Sequence, residues 1–107
     1  MTNSKTPAGD YNYPQKQKGI KLSVIIPTLN AGSTLNQTIE PLSSAKQRGV
    51  EIEIIVVDAG STDDTEQLAL EADAKFVTSD RGRGTQLHRG AQLASGDWFL
   101  FLHADTV

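Results

Sequence analysis

The chain has 107 residues, 37 % of them hydrophobic and 21 % charged, with a net charge of −3 and no cysteine. Such a composition describes an ordinary globular chain of at most one domain, not a disordered or fibrous one. It excludes a disulfide scaffold, a thiol nucleophile and cysteine-based metal sites, and it offers no broad attraction to nucleic acid or anionic lipid.

Residues 1–20 are rich in Asn, Gln, Pro and Gly and have no apolar periodicity, so they are expected to form a flexible tail. They lack the apolar run of a signal peptide, and no later run approaches the ~20 residues needed to span a bilayer. A cytoplasmic protein is expected. Leu22-Ser23-Val24-Ile25-Ile26 reads as a strand ending at Pro27, because proline cannot donate to a ladder. Thr28 to Ser33 is turn chemistry, with Gly32 or Ser33 as the cap of a helix. Leu35, Ile39 and Leu42 recur at helical spacing, and Pro41 is expected to kink or shorten that helix.

A second strand, Ile52–Val57, is almost wholly apolar after Glu53, as in a strand covered on both faces. It runs into Asp58-Ala59-Gly60-Ser61-Thr62-Asp63-Asp64, where Ser61 and Asp64 resemble a capping box. Asp63 and Asp64 suit the positive end of the helix dipole, and Leu68, Ala69 and Ala72 form that helix's buried stripe. A short strand at Ala74–Val77 precedes the basic loop Arg81-Gly82-Arg83-Gly84. A third helix is expected over Thr85–Ala94, with Arg89 exposed, followed by Gly96 and a fully apolar core strand, Trp98–Leu102. Alternating strands and helices imply right-handed crossovers, hence an α/β fold with a Rossmann-like parallel sheet and flanking helices.

The polar clusters fall after the strands: Thr28 to Asn30, Asp58 to Asp64, Arg81 to Gly84, and His103 with Asp105. Open parallel sheets bind ligands at that rim, although turn chemistry by itself also accounts for Asn30, Gly32, Gly60 and Ser61. A dinucleotide fingerprint fails, because Gly82-Arg83-Gly84 follows the third strand and Leu87 stands where the last glycine belongs. No P-loop string is present either.

Ser23-Val24-Ile25-Ile26-Pro27-Thr28-Leu29-Asn30 and Ile55-Val56-Val57-Asp58-Ala59-Gly60-Ser61-Thr62-Asp63-Asp64-Thr65 resemble the first two motifs of the family 2 glycosyltransferases with a GT-A fold. Residues 84–106, ending in Phe101-Leu102-His103-Ala104-Asp105-Thr106, are similar to the family's later motifs, most of all to a bacterial subgroup with an "FLHADT" motif. The likeness covers residues 21–107 and implies a partial GT-A domain, the donor-nucleotide-binding half.

By that resemblance, Pro27, Thr28, Asn30 and Asp58 would contact the nucleoside of a nucleotide-diphosphate sugar, and Arg81 and Arg83 its diphosphate. Asp105, with His103 where relatives carry another acid, would hold Mg²⁺ or Mn²⁺. Ala59 stands where many relatives have a second acid. The family inverts the anomeric centre with a carboxylate general base. That base is expected beyond Val107, so these residues read as a donor-binding portion, inactive alone, of an enzyme whose acceptor is unknown. A complementary chain or self-association at the exposed sheet edge would complete it. Two other readings stay open: a non-catalytic nucleotide-binding module, or an interaction domain using that edge.

Overall fold

The structure is a computed structural model that describes residues 19–104. Most of the expected tail, and Asp105, lie outside the described residues. Seven elements alternate: β1 (Lys21–Thr28), α1 (Leu35–Gln47), β2 (Glu51–Asp58), α2 (Thr65–Glu71), β3 (Lys75–Thr78), α3 (Arg83–Leu93) and β4 (Trp98–Phe101). All pairings are parallel, in the order β3-β2-β1-β4. The chain steps outward from β1 to β3, and α3 then carries it back to set β4 on the other side of β1. Strand order reverses between β1 and β4, which is where an open parallel sheet receives its ligands.

Side chains alternate across the two central strands, and the sheet is covered on both faces there. Val24, Ile26, Ile54 and Val56 pack toward Leu35, Ile39 and Leu42 of α1 and Ala69 of α2. Ile25, Ile55 and Val57 face Leu87, Ala91 and Ala94 of the α3 segment. Burying side chains of this size stabilises by roughly 1.5–3 kcal/mol each. The approach of α3 depends on Gly90, where an added Cβ would lie 2.4 Å from Ile25 Cγ2 and 3.1 Å from Val57 Cγ2.

Several local expectations are corrected. β1 does not stop at Pro27 but runs on to Thr28. Thr28 O takes the Ala59 N–H on the β2 side, and Ile25 O takes the Leu102 N–H on the β4 side. Pro27's nitrogen therefore faces the β4 side beyond the last pair, Ile25 with Phe101, where the ladder has ended. α1 continues through Pro41 to Gln47, because both Pro41 and Gln37, whose carbonyl loses its bond, are on the exposed side. Its cap residue is Thr34, not Gly32 or Ser33. The Ser61–Asp64 capping box does not form: Ser61's hydroxyl goes to Asp58, and Asp63 Oδ1 accepts the Thr65 N–H at 3.0 Å. β3 is shifted by one residue, and α3 begins at Arg83, just after Gly82 with its φ of 126°.

The largest correction concerns the run Trp98–Leu102, expected in the core, of which only Leu102 packs against it. Trp98 is 64 % exposed, Phe99 46 %, Leu100 39 % and Phe101 45 %. β4 is an edge strand. Its residues pair with Leu22 to Ile25, and the helices covering β1 and β2 leave both of its own faces bare.

At the opposite end of the strands a buried ion anchors the sheet. Glu53 accepts the Ser23 hydroxyl at 2.6 Å, the Ser95 N–H at 2.6 Å and the Lys75 ammonium at 3.0 Å. Burial pushes its carboxyl up. The Ser23 hydroxyl, the Ser95 amide and Lys75 outweigh that and hold it down at about 2. Ser23 in turn receives the Gly96 N–H at 2.8 Å, so the entrance to β4 is fastened to β1 and β2. Among the described residues no helix is long and apolar enough to cross a membrane.

Candidate functional site

The carboxyl ends of β1 and β2 lie side by side, with Thr28 opposite Asp58 in the register. The Thr28 hydroxyl donates to Asp58 Oδ1 at 2.6 Å, and Ser61's hydroxyl reaches the same oxygen. Asp58 Oδ2 accepts the N–H of Ser61 at 2.7 Å and of Gly60 at 3.1 Å. Gly60, at φ 97°, makes the turn that brings those amides back. A carboxylate has about four acceptor positions, and here the protein fills them all. Asp58, only 2 % exposed, builds the loop from within.

The β1–α1 loop is stitched to the β2–α2 loop. Asn30, at φ 54°, adopts the left-handed conformation that asparagine tolerates. Its N–H meets Ser61 Oγ at 2.7 Å, and its Oδ1 receives the Thr62 N–H at 2.8 Å. The next two amides go to the same neighbour, Ala31 N–H to Thr65 Oγ1 at 3.0 Å and Gly32 N–H to Asp63 Oδ2 at 2.9 Å. The Thr65 hydroxyl holds the Asp63 carboxyl below the usual range; slight desolvation opposes this, and the Gly32 amide adds to it. Dinucleotide folds place a phosphate on amides in this position. Here side chains occupy them, so these amides are not free to receive a phosphate.

Gln86 was legible only as a residue on the third helix. It is buried, and its Nε2 donates to Val57 O at 2.8 Å and Thr28 O at 3.0 Å. It thus pins α3 to the tips of β1 and β2. The available signal was its spacing of four from Gly90, which puts both on the face pressed against the sheet.

The loop after β3 joins this rim through the Ser79 N–H, bonded to Asp58 O at 2.9 Å. Arg81 and Arg83 follow, both exposed, and neither forms an ion pair among the described residues. Pro27 is half-buried in β1. Past β4, His103 is exposed while Ala104 is fully buried, its carbonyl accepting the Thr34 hydroxyl. The structure thus unites Thr28, Asn30 and Asp58 in one network. His103 and the two arginines are not hydrogen-bonded to it among the described residues.

No group of three or more His, Cys, Asp or Glu that could hold a metal occurs among the described residues. The exposed His103 offers one imidazole, and Asp105 follows Ala104 in the chain. So sparse a set fits a divalent cation that takes most of its ligands from phosphate oxygens and water, as Mg²⁺ commonly does.

Residues 23–107 match the family model described as glycosyl transferase family 2. Glucosyl-3-phosphoglycerate synthase of Mycobacterium tuberculosis (strain ATCC 25618 / H37Rv) is 34 % identical over 98 residues, covering 83 % of this chain and 30 % of the relative. The PGL/p-HBAD biosynthesis glycosyltransferase of Mycobacterium bovis (strain BCG / Pasteur 1173P2) is 37 % identical over 95 residues, covering 78 % and 34 %. In three dimensions the chain resembles the M. tuberculosis synthase crystallised with Mn²⁺, uridine diphosphate and glucosyl-3-phosphoglycerate. The TM-score is 0.70 at 34 % identity, over 83 % of this chain and 35 % of that one. A second crystal structure, with Mn²⁺ and UDP-glucose, gives 0.69 at 35 % identity, over 81 % and 34 %. The chain spans about a third of the length of these relatives.

Proposed function

The chain belongs to glycosyl transferase family 2 and has the parallel α/β sheet of the GT-A fold, and from that premise we propose that residues 21–107 are the donor-binding portion of an inverting glycosyltransferase. The donor is a nucleotide-diphosphate sugar, and UDP is the favoured nucleotide because the similar crystal structures hold it. The observation that carries this reading is the bonded network of Thr28, Asn30 and Asp58 at the carboxyl ends of β1 and β2, beside the reversal of strand order between β1 and β4. They form a rigid wall for a nucleoside, with Pro27 beside them.

In this proposal Asp58 acts by shaping the wall, since its acceptor positions are already filled. Arg81 and Arg83 supply fixed charge toward the diphosphate, the charge that the first loop's occupied amides cannot give. Asp105, with His103, would hold Mn²⁺ or Mg²⁺, which when bound offsets the charge gathering on the departing diphosphate. The acceptor and the general base belong to polypeptide beyond these residues, so the isolated chain binds donor without transferring sugar. The bare edge and both bare faces of β4 support cover by that polypeptide, whether a continuation, a complementary chain or a second copy. A cytoplasmic setting is part of the same reading.

Titration calorimetry with UDP-glucose and a GDP-sugar, with and without Mn²⁺, tests it. The expected result is Mn²⁺-strengthened binding of UDP-glucose with neither transfer nor hydrolysis. Absence of binding to either nucleotide sugar overturns the reading.

A further inference from the structure

We infer that Thr34, a residue outside every motif, is the positioning residue for the segment that leads into Asp105; this rests on the reading of residues 103–105 as the metal element. The segment has little other support. β4 is bonded only on its β1 side, and its ladder ends where the Leu102 N–H meets Ile25 O at 3.1 Å. His103 then lies exposed. Ala104 turns back in, its side chain fully buried in the cluster that includes Ala31 and Leu35, and its carbonyl accepts the Thr34 hydroxyl. That is the one side-chain hydrogen bond to Leu102–Ala104 among the described residues.

Thr34 is the cap residue of α1, and a threonine there ordinarily spends its hydroxyl on the helix's own first amides. Here it makes no such bond. The helix forgoes its side-chain cap; of the two carbonyls the hydroxyl can reach, Ala31 O lies at 3.4 Å and Ala104 O is nearer, so its proton fastens the end of β4. Thr34 is itself well placed for this, because its N–H is bonded to Ala31 O at 3.0 Å and the Ala31 N–H is held by Thr65 at 3.0 Å. The wall on the nucleoside side thereby sets the position of the chain entering Asp105.

Two variants of the full chain test this, Thr34→Val, which removes the hydroxyl at similar volume, and Thr34→Ser, which keeps it. UDP affinity is measured with and without Mn²⁺, and the Ala104 carbonyl-carbon NMR shift is read in the ligand-free protein. Thr34→Val is expected to lose about tenfold or more of the Mn²⁺-dependent gain, the scale typical when a group supporting a metal ligand is removed. Its UDP affinity without metal should stay that of the parent chain, the Ala104 shift should move, and Thr34→Ser should restore both. Retention of the full Mn²⁺ gain in Thr34→Val overturns the positioning role, and an unmoved Ala104 shift overturns the anchor. A parent chain that binds no UDP overturns the donor-site reading, while the carbonyl shift still decides the anchor.

Discussion

The hydroxyl of Thr28 donates to the carboxylate of Asp58 at 2.6 Å, joining the last residues of two parallel strands that face each other in register. Replacing Asp58 by Asn turns one acceptor into a donor, against amides or hydroxyls that already point at it. A loss of about 2–3 kcal/mol in unfolding free energy is expected, with weaker UDP binding in the presence or absence of Mn²⁺. Urea denaturation and titration of the same sample check it. Parental stability in Asp58→Asn would mean the four bonds do not set the loop.

Asp105→Ala should remove the Mn²⁺-dependent part of UDP-glucose affinity and leave the unfolding midpoint where it was. His103→Ala should diminish that part only in accord with a shared site. Identical metal dependence in parent and Asp105→Ala would refute the assignment.

Glu53 makes stability depend on acid. Folding lowers its pKa from 4.5 to about 2, so between those values the unfolded chain binds more protons than the folded one. The contribution is present in full above the upper value and disappears as pH falls toward the lower. Its size is on the order of 3 kcal/mol. Urea midpoints followed across that range should fall steeply for the parent chain and much less for Glu53→Gln, which begins less stable at neutral pH.

Two glycines in α3 should respond oppositely to alanine. At Gly90 the added Cβ meets Ile25 at 2.4 Å, and overpacking should cost about 1–3 kcal/mol despite alanine's better helix propensity. At Gly84 nothing lies within 4 Å, so Gly84→Ala should stabilise by up to about 1 kcal/mol. Thermal unfolding of the two variants separates the effects; a neutral Gly90→Ala would show that α3 can shift outward freely.

Much of the architecture could be read from pattern. The apolar runs around Ile25 and Ile55 mark strands covered on both faces, and Leu35, Ile39 and Leu42 mark a helix. The same reasoning failed at Trp98–Phe101, because an apolar run says that a strand wants cover without saying whether this stretch of chain provides it. Pro27 misled for a related reason: its missing N–H matters only if a neighbouring strand is still there to receive it. The rim was legible as a set of loops after strands. The bond from Thr28 to Asp58, that from Gln86 to Val57, that from Ser23 to Glu53 and that from Thr34 to Ala104 were not, since each joins residues 29 or more apart that only the folded topology brings near.

The uncovered fourth strand has a thermodynamic consequence. Any polypeptide that covered Trp98 to Phe101 would bind the folded form and not the unfolded one, and so would raise the melting temperature by mass action. The stability of these residues would then depend on how much of such a companion is present, and Trp98 itself is the natural fluorophore with which to watch it arrive.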